Sequence, residues 1–359
     1  MNEKIKCLRE KLRGLDIQGM IISNPVNVKY LTGIDGEGTL LITRKENYYI
    51  TDARYIESVR ATLTIDDEII VSNYTDISEY DYENFFSFCE NVGFEEEYIT
   101  YATYKRYMQK YKANHLEETE SIIEKQRLIK DEQEIEYLER ACELTDNCFS
   151  HLLNFIKIGM TEKQIAFEIE KYFLDHGAEG LAFETIVASG PNSSKPHAIT
   201  TERKIDVGDP ITIDFGCKYK GYCSDMTRTV FIGEVSDRAR EVYNVVLEAN
   251  LRGIAAAKPG NRMCDVDLAA RNYIEEKGFG EYFTHRTGHS IGLEDHEFGD
   301  VSSVNTDIIK VGQCFSVEPG IYLPDENIGV RIEDLVLITE DGCEVLNDYT
   351  KELIVVPEE

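Results

Sequence analysis

A chain of 359 residues, 42% hydrophobic and 29% charged, has the length for two globular domains with sizeable cores. Its formal charge of −29 speaks against nucleic acid or an anionic membrane as partner. No apolar run approaches the ~20 residues that span a bilayer, the N-terminal MNEKIKCLREKLRGL lacks the apolar core of a signal peptide, and nine cysteines without CxxC spacing predict reduced thiols and a cytoplasmic location.

Residues 1–123 read as a small α/β domain. Ile5, Leu8, Leu12 and Leu15 have helical spacing within Asn2–Leu15. Strands are predicted at Gly19–Ser23, Gly38–Thr43 and Tyr48–Thr51, with turns at Asn24-Pro25 and Gly33–Gly38. A further strand is expected within Leu63–Asn73 and a helix over Tyr80–Val92. Tyr98, Tyr101, Tyr104, Tyr107 and Tyr111 recur near helical spacing, which suits a half-buried amphipathic face better than an aromatic binding box.

The second domain is expected over 124–359. Asp131 with Glu134, and Thr161 with Gln164, are capping-box starts of two helices, the second ending at Gly177. Ser236-Asp237 opens a third helix, stopped at Pro259-Gly260, and Asp265 a fourth, stopped at Gly278. Between the helix pairs lies Gly208–Gly233, read as a β-hairpin. Ile211, Ile213 and Phe215 alternate with Thr212 and Asp214. A two-residue tip at Tyr219-Lys220 would set Asp214 directly opposite Asp225. Like charges there are destabilising unless cations sit between them. Cys217 and Cys223 flank the turn out of register with each other, consistent with packing rather than a disulfide.

GDPITIDFG at Gly208–Gly216 is paralleled by GQCFSVEPG at Gly312–Gly320, so Asp214 corresponds to Glu318. Glu318 and Glu333 then flank a turn at Pro324–Asn327, a second hairpin bearing two acids. Two hairpin halves, each preceded by a helix pair, imply an α+β layer with helices on the outer face. The loop between the halves holds His285, His289 and His296 within twelve residues. Four carboxylates and one imidazole suit two divalent ions of the Mn, Co or Zn type. Two such ions, roughly 3.5–4 Å apart, activate water and polarise a carbonyl. The chemistry implied is metal-assisted hydrolysis.

These residues resemble the pita-bread metallopeptidases, specifically the Xaa-Pro branch of prolidase and aminopeptidase P. The motifs are SGPNSSKPH, IDFG with GYCSDMTRT, TGHSIGLEDHE, VEPGIY and GVRIED. NPVNVKYLTGIDGEGTLLIT and TDARYIE are similar to that branch's N-terminal creatinase-type domain. The resemblance implies a pita-bread catalytic domain with a pseudo-twofold β-sheet covered by helices, and a smaller creatinase-type α/β domain before it. It implies a homodimer, two divalent ions with Mn2+ first and Co2+ or Zn2+ as alternatives, and a peptide substrate with proline second. Asp214, Asp225, His289, Glu318 and Glu333 would be the ligands, Asp225 and Glu333 bridging. A metal-bridging water would be the nucleophile, with Glu318 as its base. His197 and His296 would contact substrate and stabilise developing charge. Arg331, on the strand face of Glu333, would hold carboxylates or bind substrate. For His285 a substrate contact and a supporting role both stand.

Two departures bear on specificity. Ser290 replaces the second glycine of the family's TGHGIG, a small change. Asp300 stands where prolidases carry the arginine that binds a dipeptide's free carboxylate, which favours release of the first residue from longer Xaa-Pro peptides over dipeptide cleavage. The alternatives are an Xaa-Pro dipeptidase, a metal-free creatinase-like hydrolase, and a non-catalytic interaction module. The complete ligand set argues against the last two.

Overall fold

The computed structural model describes residues 2–64 and 67–358. They form two compact units, one up to Arg127 and one from Leu128 onward.

The first unit runs α1 (Glu3–Gly14), β1 (Gly19–Ile22), α2 (Pro25–Thr32), β2 (Thr39–Ile42), β3 (Asn47–Thr51), α3 (Ile56–Thr62), β4 (Ile69–Asn73), α4 (Glu79–Asn84), β5 (Asn91–Phe94), α5 (Tyr101–Tyr111), β6 (His115–Glu118) and α6 (Ile122–Arg127). Its six strands form one mixed sheet, ordered β4-β3-β2-β1-β5-β6. Helix α1 buries Ile5, Leu8 and Leu12 and is capped by Asn2. Two local expectations differ. Asn24-Pro25 opens α2 rather than a turn: Asn24 caps it and Pro25 takes the first helical position, where no N–H is needed. The helix expected over Tyr80–Val92 stops at Asn84, and Val92 instead pairs with Gly19 and Leu116 in the sheet. Residues 65 and 66 of the strand stretch Leu63–Asn73 lie outside the described residues, and β4 fills its second half. On α5, Tyr104, Tyr107 and Tyr111 pack against the core while Tyr101 is exposed.

The second unit runs α7 (Glu132–Phe155), α8 (Glu162–Asp175), β7 (Gly180–Leu181), β8 (Ile186–Ser189), β9 (Pro210–Phe215), β10 (Cys217–Tyr219), β11 (Tyr222–Cys223), β12 (Met226–Ile232), α9 (Asp237–Ala256), α10 (Met263–Glu276), β13 (Gly288–Ser290), β14 (Glu297–Val301), β15 (Cys314–Val317), β16 (Gly320–Leu323), β17 (Ile328–Arg331), β18 (Asp334–Ile338), β19 (Cys343–Val345) and β20 (Val355–Val356). Both capping boxes close, Asp131 with Glu134 and Thr161 with Gln164. Helix α10 begins two residues before Asp265. That residue is its third, and its carboxylate reaches back to the Arg262 N–H at 2.8 Å. The two halves repeat one plan. A helix pair, α7–α8 or α9–α10, precedes three antiparallel strands, β8-β9-β12 or β13-β15-β18. Phe149, Ile165 and Phe173 of the first pair pack on Ile211, Ile213 and Phe215, and Val242, Val246 and Ile274 of the second on Ile321 and Val330.

The first hairpin departs from its expected register. Asp214 pairs with Thr227, and Tyr219 with Tyr222. The tip is therefore Lys220-Gly221, with φ of 51° and 84°. Both central residues of a type I′ turn need positive φ, so the glycine belongs inside the tip. The slip is two residues and keeps side-chain parity, so Asp225 stays on the face of Asp214, one step along the partner strand. In the second half the pairs Val317↔Asp334 and Gly320↔Arg331 bracket Glu318 and Glu333, which face each other where one ladder ends and the next begins. The halves join where Glu333 N–H donates to the Thr227 carbonyl (3.1 Å) and Thr229 Oγ1 to the Arg331 carbonyl (3.0 Å). All nine cysteines are free thiols, Cys217 and Cys223 among the buried ones. Among the described residues no helix is long and apolar enough to cross a membrane.

Candidate active site

The seam between the halves opens into a cleft of about 420 Å³. Asp214 and Asp225 enter it from the first hairpin, Glu318 and Glu333 from the second, and His285, His289 and His296 from the connecting loop and β13. His197 comes from the segment after β8, and Arg331 from β17. All nine sequence-derived site residues line this one cleft.

Asp225, His289 and Glu333 are buried and each offers a ligand atom within 4.8 Å of the others. His289 Nε2 lies 3.5 Å from Asp225 Oδ2 and 3.5 Å from Glu318 Oε1. Its backbone N–H donates to Ser316 Oγ, whose hydroxyl reaches Glu318 Oε1 at 3.3 Å. Asp225 Oδ1 and Glu333 Oε1 are buried with no hydrogen-bond partner among the described residues. Glu333 Oε2 accepts from Thr227 Oγ1 at 2.6 Å.

Four carboxylates share this space, and one guanidinium answers them. Arg331 donates through Nη2 to Asp214 Oδ2 (2.6 Å), through Nε to Thr227 Oγ1 and through Nη1 to Tyr322 Oη and the Pro196 carbonyl. Tyr322 Oη in turn lies 2.9 Å from His285 Nε2. Burial, together with Asp214 and Glu318, pushes Asp225 well above the usual carboxylate range. Burial, Asp225 and Glu318 do the same to Glu333. Asp214 is raised by burial against the pull of Arg331. At Glu318 burial also pushes upward, but His289, His285 and Arg331 prevail and hold it low. Burial lowers His285 and His296, the latter with help from His289, whose ring lies 3.9 Å away between centroids.

A buried excess of carboxylates with orphaned oxygens is costly unless cations neutralise it. The donors are hard oxygens with one imidazole, the set that divalent ions take. These residues therefore fit metal ions, and Asp225, His289 and Glu333 are close enough together to hold one.

Several residues here carry roles that spacing does not reveal. Thr227 and Tyr322 act through partners far away in sequence. Arg228, buried beside the site, donates to the Glu333 carbonyl (2.6 Å) and pairs with Asp334 (2.7 Å), which fixes the start of β18. The cleft also takes Phe183, Ile186, Pro196, Arg286 and Asp295. Asp300 is not among its lining residues. It pairs with His289 across the β13–β14 ladder, and its carboxylate accepts from Ser302 and Asn305.

Residues 136–340 match metallopeptidase family M24, and residues 4–129 match the creatinase/prolidase N-terminal domain. The chain belongs to metallopeptidase family M24. A relative, the uncharacterized peptidase YqhT of Bacillus subtilis (strain 168), is 40% identical over 355 residues, which is 98% of this chain and 100% of the relative. The Xaa-Pro dipeptidase from Bacillus anthracis superposes with a TM-score of 0.93 at 38% identity, over 98% of this chain and 99% of that one. The X-Pro aminopeptidase from Thermotoga maritima MSB8 superposes with a TM-score of 0.88 at 35% identity, over 97% and 100%. The pita-bread M24 fold and a peptidase activity follow for this chain.

Proposed function

We propose that the chain is a dinuclear metal-dependent exopeptidase that hydrolyses the bond between an N-terminal residue and a following proline. The observation that carries this is the buried cluster of Asp225, His289 and Glu333 beside Glu318, with orphaned oxygens on Asp225 and Glu333. In this reading Asp214, Asp225, His289, Glu318 and Glu333 hold two divalent ions, Mn2+ before Co2+ or Zn2+. Bound there, the ions supply an activated water and a polarised carbonyl.

The side chains do the remaining work. Glu318, held ionised beside His289 and Arg331, takes up a proton. His296, kept neutral by burial, and His197 donate N–H hydrogen bonds to the carbonyl oxygen as charge grows on it. The Arg331–Asp214 pair fixes the carboxylate that borders the metal cluster. A peptide bond to proline has no N–H to grip, so proline is recognised by shape. Phe183, Ile186 and Pro196 supply an apolar wall for it. A cytoplasmic homodimer completes the proposal, supported by the free thiols and by the family resemblance.

Asp300 favours longer peptides only if its charge reaches the substrate. A second reading, the Xaa-Pro dipeptidase, is favoured by a specific observation: Asp300 is engaged by Ser302 and Asn305, while the exposed guanidinium of Arg286 lines the cleft 3.5 Å from His296 Nδ1. The test is to incubate the Mn2+-loaded chain with Ala-Pro, Ala-Pro-amide, Ala-Pro-Ala and Ala-Ala-Ala. Alanine release from the proline peptides and not from Ala-Ala-Ala is expected. Cleavage of Ala-Pro with sparing of the amide and the tripeptide would assign the dipeptidase. No release from any proline peptide would overturn both readings.

A further inference from the structure

Glu162 is 0% exposed, lies outside the cleft, and has no part in the chemistry above. It is the first residue of α8, directly after the Thr161 cap, where the helix N-terminus favours an anion. Its carboxylate accepts five hydrogen bonds. Oε1 receives Ser189 N (2.7 Å) and Ser189 Oγ (2.8 Å). Oε2 receives Asn192 Nδ2 (3.0 Å), Thr201 N (2.8 Å) and Thr201 Oγ1 (2.7 Å). A carboxylate has about four lone-pair sites, so this acceptor is saturated.

The donors stand at the two ends of a single segment. Ser189 closes β8, and Thr201 follows the turn-rich run SGPNSSKPHAIT, which carries His197 and contains only a 3-10 turn at Gly190–Asn192. Asn192 also donates to the Ile199 carbonyl (2.9 Å), crossing the segment internally. On its other side the segment touches the second half. Gly329 N–H donates to Ser193 Oγ, a side chain at Gly329 would strike the Ser193 carbonyl at 1.8 Å, and the Pro196 carbonyl accepts from Arg331. The segment is thus strung between Glu162 on one side and β17 on the other. His197 lines the cleft with no hydrogen bond of its own to any described residue, so its position follows from where its backbone is held.

We infer that Glu162 is a positioning residue: its buried carboxylate clamps both ends of residues 189–201 and thereby sets His197 against the substrate. The clamp is a property of the segment. Its consequence for catalysis rests on the peptidase reading and on the substrate contact of His197. Charge-assisted hydrogen bonds to a buried acceptor are strong, and removing that acceptor leaves buried donors unpaired. Glu162→Gln keeps the shape but turns an amide NH2 toward groups that are themselves donors.

The experiment uses the full Mn2+-loaded chain. Hydrogen exchange is compared between wild type and Glu162→Gln, and kcat/KM on Ala-Pro-Ala is measured for wild type, Glu162→Gln, His197→Ala and the double variant. Amides of residues 193–201 are expected to exchange faster in Glu162→Gln while those of β9 and β12 do not change. kcat/KM is expected to fall on the order of 10- to 100-fold, the range of a small misplacement of a reacting group, and the double variant to be no worse than His197→Ala. Unchanged exchange in the segment overturns the clamp. A Glu162→Gln penalty of equal factor with and without His197 overturns its action through that histidine. If Glu162→Gln does not fold, Thr201→Val, which removes one of the five donors, is read the same way with a smaller effect. Exchange needs no substrate, so an inactive wild type would count against the peptidase reading alone.

Discussion

Asp225 and Glu333 illustrate how burial perturbs an ordinary carboxylate. Each is almost fully buried, each keeps one oxygen without a donor among the described residues, and each is raised by burial and by its acidic neighbours. Asp146 shows the same physics away from the site, where no cation is called for. Its Oδ2 accepts from the Asp348 N–H at 2.7 Å, its Oδ1 is buried without a partner among the described residues, and burial lifts it to about 6. An unfolded aspartate titrates near ~3.9. The folded chain therefore binds this proton more tightly. The stability it contributes is complete below about pH 4 and is lost as pH rises through about 6. Asp146→Asn mimics the protonated form. Relative to wild type it is expected to gain on the order of 1–2 kcal/mol between pH 4 and pH 7, discounted for partial exposure, as read by urea unfolding at each pH. Parallel stability curves for the two proteins would contradict the assignment.

Among the elements, the first hairpin repays attention because Gly216 lets its strands close. A Cβ at Gly216 would sit 1.9 Å from the Ser224 carbonyl, one residue before Asp225. Gly216→Ala is expected to cost roughly 1–3 kcal/mol as an overpacked contact and to reduce peptide cleavage beyond what the lost stability explains, because Asp225 moves with Ser224. Gly14→Ala, where nothing lies within 4 Å, is the neutral control. Thermal unfolding and peptide cleavage check both, and a Gly216→Ala protein with wild-type activity would mean that the strand contact does not position Asp225.

What was legible in the sequence follows the range of each interaction. Helix starts at Asp131 and Thr161 are local, since the cap and its reciprocal partner lie three residues apart. The hairpin tip is local too, but Tyr219-Lys220 leaves the glycine outside the two positions that need positive φ, and the register slipped by two. Parity survived the slip, which is why Asp214 and Asp225 still share a face. Thr227 bonding Glu333, and Arg331 bonding Thr227 and Asp214, join residues more than a hundred positions apart. Spacing holds no trace of such pairs. The ends of the Tyr80–Val92 helix failed for a related reason: Val92 has helical neighbours, but two sheet partners bid for it.

At the scale of the whole molecule, an M24 unit follows a creatinase-type unit, and relatives match across nearly their full length. The net charge of −29 is spread over a chain whose candidate active-site cleft is itself acidic. Such a cleft draws cations and is strained without them. The decisive measurement is bound metal and cleavage on the same samples: the full chain stripped by chelator, then reloaded with Mn2+, as wild type and as Asp225→Asn. Wild type is expected to take up about two ions per chain and to cleave Ala-Pro-Ala in proportion to its loading. Asp225→Asn, nearly isosteric, should keep its cooperative unfolding, hold fewer ions and release no alanine. Undiminished cleavage by the stripped protein, or by Asp225→Asn, would contradict a metal centre built on these carboxylates.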